Sequence, residues 1–178
     1  KYAGYEKRQF EGYEETQEWL RANAPVSETT GIIHGDVGTP NMMFRHGPPP
    51  KLAAMIDWEL STIGHPLADF SYHCMSWHIP PGAFRGLGGC DLAALGIPDE
   101  PTYVRRYCER TGLSTPEALL ADWDFYLAYN LFRMAAILQG IAKRVEDGTA
   151  SSAQAKASGA GARPMAELAW LFAQRSGS

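Results

Sequence analysis

Along most of the chain, apolar positions recur at helical spacing among polar and charged ones. From Tyr5 to Ala24 the apolar Phe10, Tyr13 and Leu20 sit among charges and Pro25 follows as a stop, which predicts an amphipathic helix. After Pro66, residues Leu67, Phe70, Cys74 and Trp77 step by three and four along one face until Pro80-Pro81, predicting a second. Pro101 suits a first helical turn, and Tyr103 to Arg110 reads as a helix closed by Gly112. Ser114-Thr115-Pro116-Glu117 offers a capping-box start. The longest predicted element follows, with Leu120, Leu127, Leu131, Met134, Leu138, Ile141 and Val145 as one buried stripe until Gly148. Pro164 to Gln174 predicts a last helix.

Between about Gly31 and Asp57 the pattern changes. Gly31-Ile32-Ile33 leads into the polar loop His34 to Asn41. Two short apolar runs follow, Met42-Met43-Phe44 and Ala53-Ala54-Met55-Ile56, separated by Gly47 and three prolines. Two short strands joined by a proline-rich turn are predicted there. Gly82 to Pro98, rich in glycine, reads as a loop or lid-like excursion. Thr149 to Ala162, almost all Ala, Ser and Gly, lacks large apolar groups and is expected to be a mobile connector, although its alanines permit helix.

Composition narrows the classes. A chain of 178 residues with 45% hydrophobic residues can build a sizeable core, which argues against disorder. Sixteen Lys and Arg against twenty Asp and Glu give a net charge of −4 without a basic run, arguing against nucleic-acid binding. The most apolar stretch, Leu127 to Ala142, is interrupted by Asn130, Arg133 and Gln139 and falls short of the roughly 20 apolar residues of a membrane span. Cys74, Cys90 and Cys108 are an odd number at wide spacings, and no charged-then-apolar leader is visible, so a reducing, cytoplasmic compartment is expected. The chain opens at Lys1 without an initiator Met and is expected to be a piece of something longer.

The chemistry-bearing stretch is His34-Gly35-Asp36-Val37-Gly38-Thr39-Pro40-Asn41, followed by Ile56-Asp57-Trp58-Glu59. Asp36, Asn41 and Asp57 offer side-chain oxygens at loop or strand-end positions, the donor set of a hard cation such as Mg²⁺, which usually takes one or two protein carboxylates plus substrate phosphates. The step from Asp36 to Asn41 lets one loop place a carboxylate near an acceptor hydroxyl and an amide oxygen on the metal. Asp57 can add the carboxylate that bridges metal and nucleotide. Phosphoryl transfer asks for these parts: a group to orient and deprotonate the nucleophile, and cations to neutralise the phosphates.

His-Gly-Asp-x-x-x-x-Asn followed by Ile-Asp-Trp-Glu resembles the aminoglycoside phosphotransferase and choline kinase group, distant relatives of the protein kinases. The run Asp57-Trp58-Glu59-Leu60-Ser61-Thr62-Ile63-Gly64-His65-Pro66-Leu67-Ala68-Asp69, with Phe125 to Arg133 downstream, is similar to the branch found fused to or beside acyl-CoA dehydrogenases, and the resemblance runs from Gly4-Tyr5 onward. It implies a mainly α domain (α+β class) with a small β hairpin region, similar to the C-terminal lobe of the protein-kinase-like fold over residues 1–178, the segment 149–162 being its connector. By position, Asp36 would be the catalytic base, Asn41 and Asp57 the Mg²⁺ and nucleotide ligands, and His34 and Asp69 structural supports of the loop. The activity implied is ATP-dependent phosphorylation of a small-molecule hydroxyl, tilted by the branch towards a hydroxy-acyl compound or its CoA thioester. The family's N-terminal β-rich lobe, with a glycine-rich loop, a lysine and a glutamate for the nucleotide, has no counterpart before Tyr5, so the chain alone is expected to be catalytically incompetent. A non-catalytic pseudokinase or interaction module, a regulatory or dimerising fragment, and a metal-dependent phosphatase are the alternatives.

Other residues have bland readings beside sharp ones. Glu59 serves either a second metal ion or a cationic substrate, or is a solvated strand-end charge. His65, His73, Cys74 and His78 match no zinc spacing and read as helix surface and core. Trp58, Trp77, Trp123, Tyr126 and Tyr129 line a pocket or, more simply, fill the core. Arg133, inside an apolar stripe, needs a carboxylate if buried, from the protein or from an anionic substrate.

Overall fold

The computed structural model describes residues 12–26 and 29–175. Helix α1, Tyr13–Ala22, ends at Asn23, whose N–H bonds the Trp19 carbonyl, so the predicted first helix stops short of Pro25. The expected portion from Tyr5 to Glu11 lies outside the described residues.

Two small antiparallel pairs carry the central stretch. Strand β1, Gly31–Ile33, leads into the polar loop and a single 3-10 turn, Thr39–Asn41. Strands β2, Met42–Arg45, and β3, Lys51–Met55, form the expected hairpin with Met42 opposite Met55 and a bulge between Met43 and Phe44. A second 3-10 turn, Trp58–Leu60, follows, and β4, Thr62–Gly64, returns to pair with β1, Ile32 opposite Ile63. This second pair was not among the sequence expectations, because Thr62-Ile63-Gly64 is too short to show alternation.

The rest is helical. Helix α2, Leu67–Cys74, tightens into a 3-10 turn, Met75–Trp77, before the prolines. Residues 78–99 form an irregular excursion without helix or strand. Helix α3, Glu100–Thr111, starts three residues earlier than predicted because Asp99 caps it, accepting the Thr102 N–H at 2.8 Å; Gly112, at φ 65°, closes it. Thr115 caps α4, Pro116–Ala121, by accepting the Ala118 N–H.

The predicted single long helix is in fact two elements. A break at Asp122 separates α4 from α5, Trp123–Glu146, and the Asp122 carbonyl accepts the Phe125 and Tyr126 N–H groups that begin the new helix. The break rotates α4, so that Leu120, expected in the buried stripe, is exposed. The stretch expected as a connector holds α6, Ala153–Ala160, capped by Ser152 and packed on α5. The absence of bulk explains that packing: a Cβ on Gly159 would lie 2.8 Å from the Ala142 Cα. Helix α7 spans Ala162–Arg175.

Helix α5 is the spine. Its Leu127, Ala128, Leu131, Met134, Ala135 and Leu138 are buried against Met165, Ala166, Ala169, Phe172 and Ala173 of α7 and against α2. Small residues on both α5 and α7 let the backbones approach closely. The burial of whole Leu and Phe side chains contributes roughly 1.5–3 kcal/mol each. Asn130, fully buried within this core, donates to the Ala68 carbonyl at 3.1 Å and to Ser71 Oγ at 2.7 Å, tying α5 to the start of α2. That fixes the height of α2 against the loop that follows β1. Among the described residues, no helix is long and apolar enough to cross a membrane.

Candidate active site

The loop between β1 and β2 is held from both sides. Asp69, in the first turn of α2, accepts the backbone N–H groups of His34 at 2.6 Å and Gly35 at 2.9 Å. Arg133 of α5 donates from Nη2 to the Gly35 carbonyl. Gly35 itself needs no side chain: its φ is 84°, and a Cβ would lie 2.6 Å from the Leu60 carbonyl oxygen.

His34 joins the two halves of the motif. Its ring is buried; Nδ1 accepts the Asp36 N–H at 3.2 Å, so the ring hydrogen lies on Nε2, which donates to the Ile56 carbonyl at 2.8 Å. The Trp58 ring covers it with 4.7 Å between centroids.

Asp36 is presented with both carboxylate oxygens engaged. Tyr72 of α2 donates its hydroxyl to Oδ1 at 2.7 Å, and Asn41 donates Nδ2 to Oδ2 at 3.0 Å and to the Asp36 carbonyl at 2.8 Å. The Arg85 guanidinium lies 4.0 Å from Oδ1. Burial, and then the Asp36 carboxylate, push the Tyr72 hydroxyl far above the ordinary tyrosine range, so it remains a donor. The Asp36 side chain is still 33% exposed, enough for a ligand to reach it.

With the amide hydrogens of Asn41 directed at Asp36, its oxygen is the atom left to face a cation. The Asn41 carbonyl accepts the Ile56 N–H at 3.0 Å, so Asn41 and Asp57 emerge together at one end of the β2–β3 hairpin. Asp57 adopts a left-handed backbone, φ 66°, that L-residues rarely take. These donors are all oxygens, which suits Mg²⁺. The loop, α2 and the hairpin thus bring His34, Asp36, Asn41, Asp57 and Asp69 into one region. Glu59 is exposed in the 3-10 turn beyond Asp57.

Several contacts were not visible in the sequence. Tyr72, Arg85 and Arg133 reach the loop from two helices and the irregular excursion. Arg133 is only part-buried, so the condition for a carboxylate partner is not met; it finds a carbonyl and the Tyr72 ring, 5.3 Å from its guanidinium carbon. Trp58 is 46% exposed over His34, whereas Trp123 and Tyr126 are core. His65, His73, Cys74 and His78 have separate surroundings: His78 bonds Glu100 at 2.8 Å, His73 contacts the Trp77 and Tyr103 rings, and Cys74 is buried.

Comparison with known proteins shows the family of the chain. The sequence model of the phosphotransferase enzyme family matches residues 3–129. A crystal structure from Ralstonia eutropha JMP134, provisionally named an aminoglycoside phosphotransferase, superposes with a TM-score of 0.86 at 51% identity, covering 96% of this chain and 51% of the other. Mouse acyl-CoA dehydrogenase family member 10 is 41% identical over 162 residues, 90% of this chain and 15% of that protein. The Arabidopsis thaliana probable acyl-CoA dehydrogenase IBR3 is 32% identical over 170 residues, 90% of this chain and 20% of its own length. The chain therefore spans about half of the solved relative and a fifth or less of these two curated ones. A kinase-like helical fold and a family match over most of its length agree, and the chain belongs to the phosphotransferase enzyme family.

Proposed function

We propose that this chain is the C-terminal, acceptor-side lobe of an ATP-dependent phosphotransferase acting on a small-molecule hydroxyl. The observation that carries the reading is the Asp36 carboxylate, oriented by Tyr72 and Asn41 and still accessible, with Asp57 following the Ile56 that bonds the Asn41 carbonyl. In this reading Asp36 accepts the proton of the acceptor hydroxyl as its oxygen bonds the γ-phosphorus of ATP, and the bond to the bridging oxygen breaks to release ADP. Asn41 and Asp57 would hold Mg²⁺, which supplies charge neutralisation on the phosphates. Asp69 and His34 keep the loop rigid, so that Asp36 needs little reorganisation when substrates arrive.

The nucleotide site needs more than this lobe. Ile32, Met43, Phe44, Ile56 and Ile63 are exposed on and beside the two strand pairs, an apolar surface suited to packing under a second lobe and a nucleotide base. Residues 1–178 alone are therefore expected to be inactive. The relatives named for acyl-CoA dehydrogenases favour a hydroxy-acyl compound as acceptor class.

The test is phosphate transfer from Mg·ATP to a panel of hydroxyl metabolites by the protein extended with its upstream sequence, beside Asp36→Asn. Transfer that disappears in the variant supports the reading. ATP binding without transfer to any acceptor would favour a non-catalytic module, and no ATP binding would overturn the reading.

A further inference from the structure

Among the described residues, two besides glycine adopt a positive φ: Asp57, already placed in the site, and Arg85, at 54°. Such backbone is unfavourable for L-residues and concentrates where function demands a particular side-chain direction. Arg85 lies in the excursion after α2, a segment anchored by its backbone. The Leu87 N–H bonds the Ser76 carbonyl at 2.7 Å, and Gly88 bonds Ile79 at 2.8 Å. Gly86 sits so close that a Cβ would lie 2.2 Å from the Pro80 carbonyl oxygen. Phe84 rests edge-on against Tyr72, with ring centroids 6.2 Å apart, and the Arg85 guanidinium carbon is 5.0 Å from the Phe84 ring centre.

This anchoring sends the guanidinium across Gly38 of the catalytic loop. A Cβ on Gly38 would lie 2.2 Å from Arg85 Nη1. The φ of Gly38 is 177°, ordinary extended backbone, so a side chain there would meet the guanidinium first and displace it. Nη2 then stands 4.0 Å from Asp36 Oδ1, beyond hydrogen-bond distance. A guanidinium placed only to neutralise Asp36 would close that gap. This one is a third exposed and leaves room beside the carboxylate.

The two oxygens of Asp36 also divide the site. Oδ2 faces Asn41, on the side given to metal and phosphates; Oδ1 faces Tyr72 and Arg85. The Arg85 side is thus the approach for the acceptor. A guanidinium recognises carboxylate and phosphate oxygens through paired N–H groups and repels ammonium groups. Arg133, close behind on the Tyr72 ring, adds a second positive charge.

We propose that Arg85 binds an anionic group of the acceptor, and that the site selects hydroxyl compounds carrying a carboxylate or phosphate over neutral and cationic ones. This rests on the phosphotransfer reading of Asp36. It separates this chain from any relative that acts on polycationic aminoglycosides, since the charge beside the base has the wrong sign for them.

The test uses the protein extended with its upstream sequence, in wild-type, Arg85→Gln, Arg85→Lys and Gly38→Ala forms. The acceptors are 2-, 3- and 4-hydroxybutanoate, their methyl esters, choline and kanamycin. Wild type is expected to prefer a hydroxy acid over its ester by about 10- to 100-fold in kcat/KM, the range for a hydrogen bond to a charged group. Arg85→Gln should raise KM for the acid by about 10-fold or more, so that the acid-over-ester preference collapses, and Arg85→Lys should restore part of the preference. Gly38→Ala, which displaces the guanidinium without backbone strain, should reproduce Arg85→Gln.

Equal loss of kcat for acids and esters in Arg85→Gln would overturn the proposal, assigning the guanidinium to the phosphoryl group in transit. Preference for choline or kanamycin would also overturn it. A readout without turnover separates the two readings: binding of the hydroxybutanoates to Asp36→Asn, followed by ligand-observed NMR with and without Arg85→Gln. Arg85-dependent binding without any wild-type transfer would count against the phosphotransfer reading, and with it the word acceptor, while leaving Arg85 as the residue that binds the anionic group. Binding of no carboxylate, or binding indifferent to Arg85, would overturn the assignment of Arg85.

Discussion

The Tyr72 hydroxyl donates to Oδ1 of Asp36 at 2.7 Å, linking the middle of α2 to the loop after β1. Asn41 bonds the other oxygen from within the loop, so the carboxylate plane is set by one local and one distant donor. The orientation of the carboxylate's remaining lone pairs follows from that pair of contacts.

Removing one donor tests this arrangement. In the protein with its upstream sequence, Tyr72→Phe should lower kcat about 10-fold, the cost of a lost hydrogen bond to a charged group. KM for Mg·ATP should stay within about 2-fold, because Tyr72 is on the side away from Asn41 and Asp57. Steady-state kinetics with ATP and acceptor varied separately check both. A fall in affinity for ATP with kcat unchanged would contradict the assignment.

Asp69 holds two backbone donors at once, those of His34 and Gly35. Asp69→Ala should therefore destabilise the chain by about 2–4 kcal/mol, roughly 1–2 kcal/mol for each stranded N–H. Asp69→Asn, which retains one accepting oxygen, should cost about half as much. Urea unfolding measures both, and equal values for the two variants would show that the bonds do not act separately.

Stability should also fall on mild acidification through His73. Burial first, and the Arg85 charge second, hold its pKa below the ordinary histidine value. The unfolded chain therefore binds a proton more readily than the folded one. The contribution is fully present above the unfolded value of about 6.5 and is lost as pH falls towards the lower folded value. Comparison of Tm at pH 7.5 and 5.5 should show a smaller acid-induced drop in His73→Gln than in wild type. An identical drop would remove His73 as a source of the effect.

The contact between α6 and α5 gives a test of packing. The nearest atom to an added Cβ at Gly159 is backbone, the Ala142 Cα at 2.8 Å, which cannot swing aside. Gly159→Ala should destabilise by about 1–3 kcal/mol despite the better helix propensity of alanine. Stabilisation in urea unfolding would mean that α6 does not pack on α5 in solution.

How far these features can be read from the amino acids depends on the range of the interaction. The β2–β3 hairpin was legible because two apolar runs flank glycine and prolines, and each end of that turn is a local choice. Helix α3 was legible through Pro101 and Gly112. The break at Asp122 was not: no glycine or proline marks it, and Leu120 continues the apolar period across it. The pairing of β1 with β4 was hidden for another reason, since three-residue strands carry no period of their own and are defined by the partner.

Residue types and spacing by themselves singled out Asp36, Asn41 and Asp57 as the proposed oxygen-donor set, because they lie on one loop and one short hairpin. The same local order placed Asp69 near the start of a helix. Only the tertiary structure decided what faces each oxygen of Asp36: Tyr72 from α2, Arg85 from an anchored excursion and Arg133 from α5 behind them. Charges from distant parts of the chain meet only after α2 and α5 have packed and Asn130 has set their relative height. No local pattern records that convergence, because the free energy that enforces it comes from burying the helices, away from the site itself.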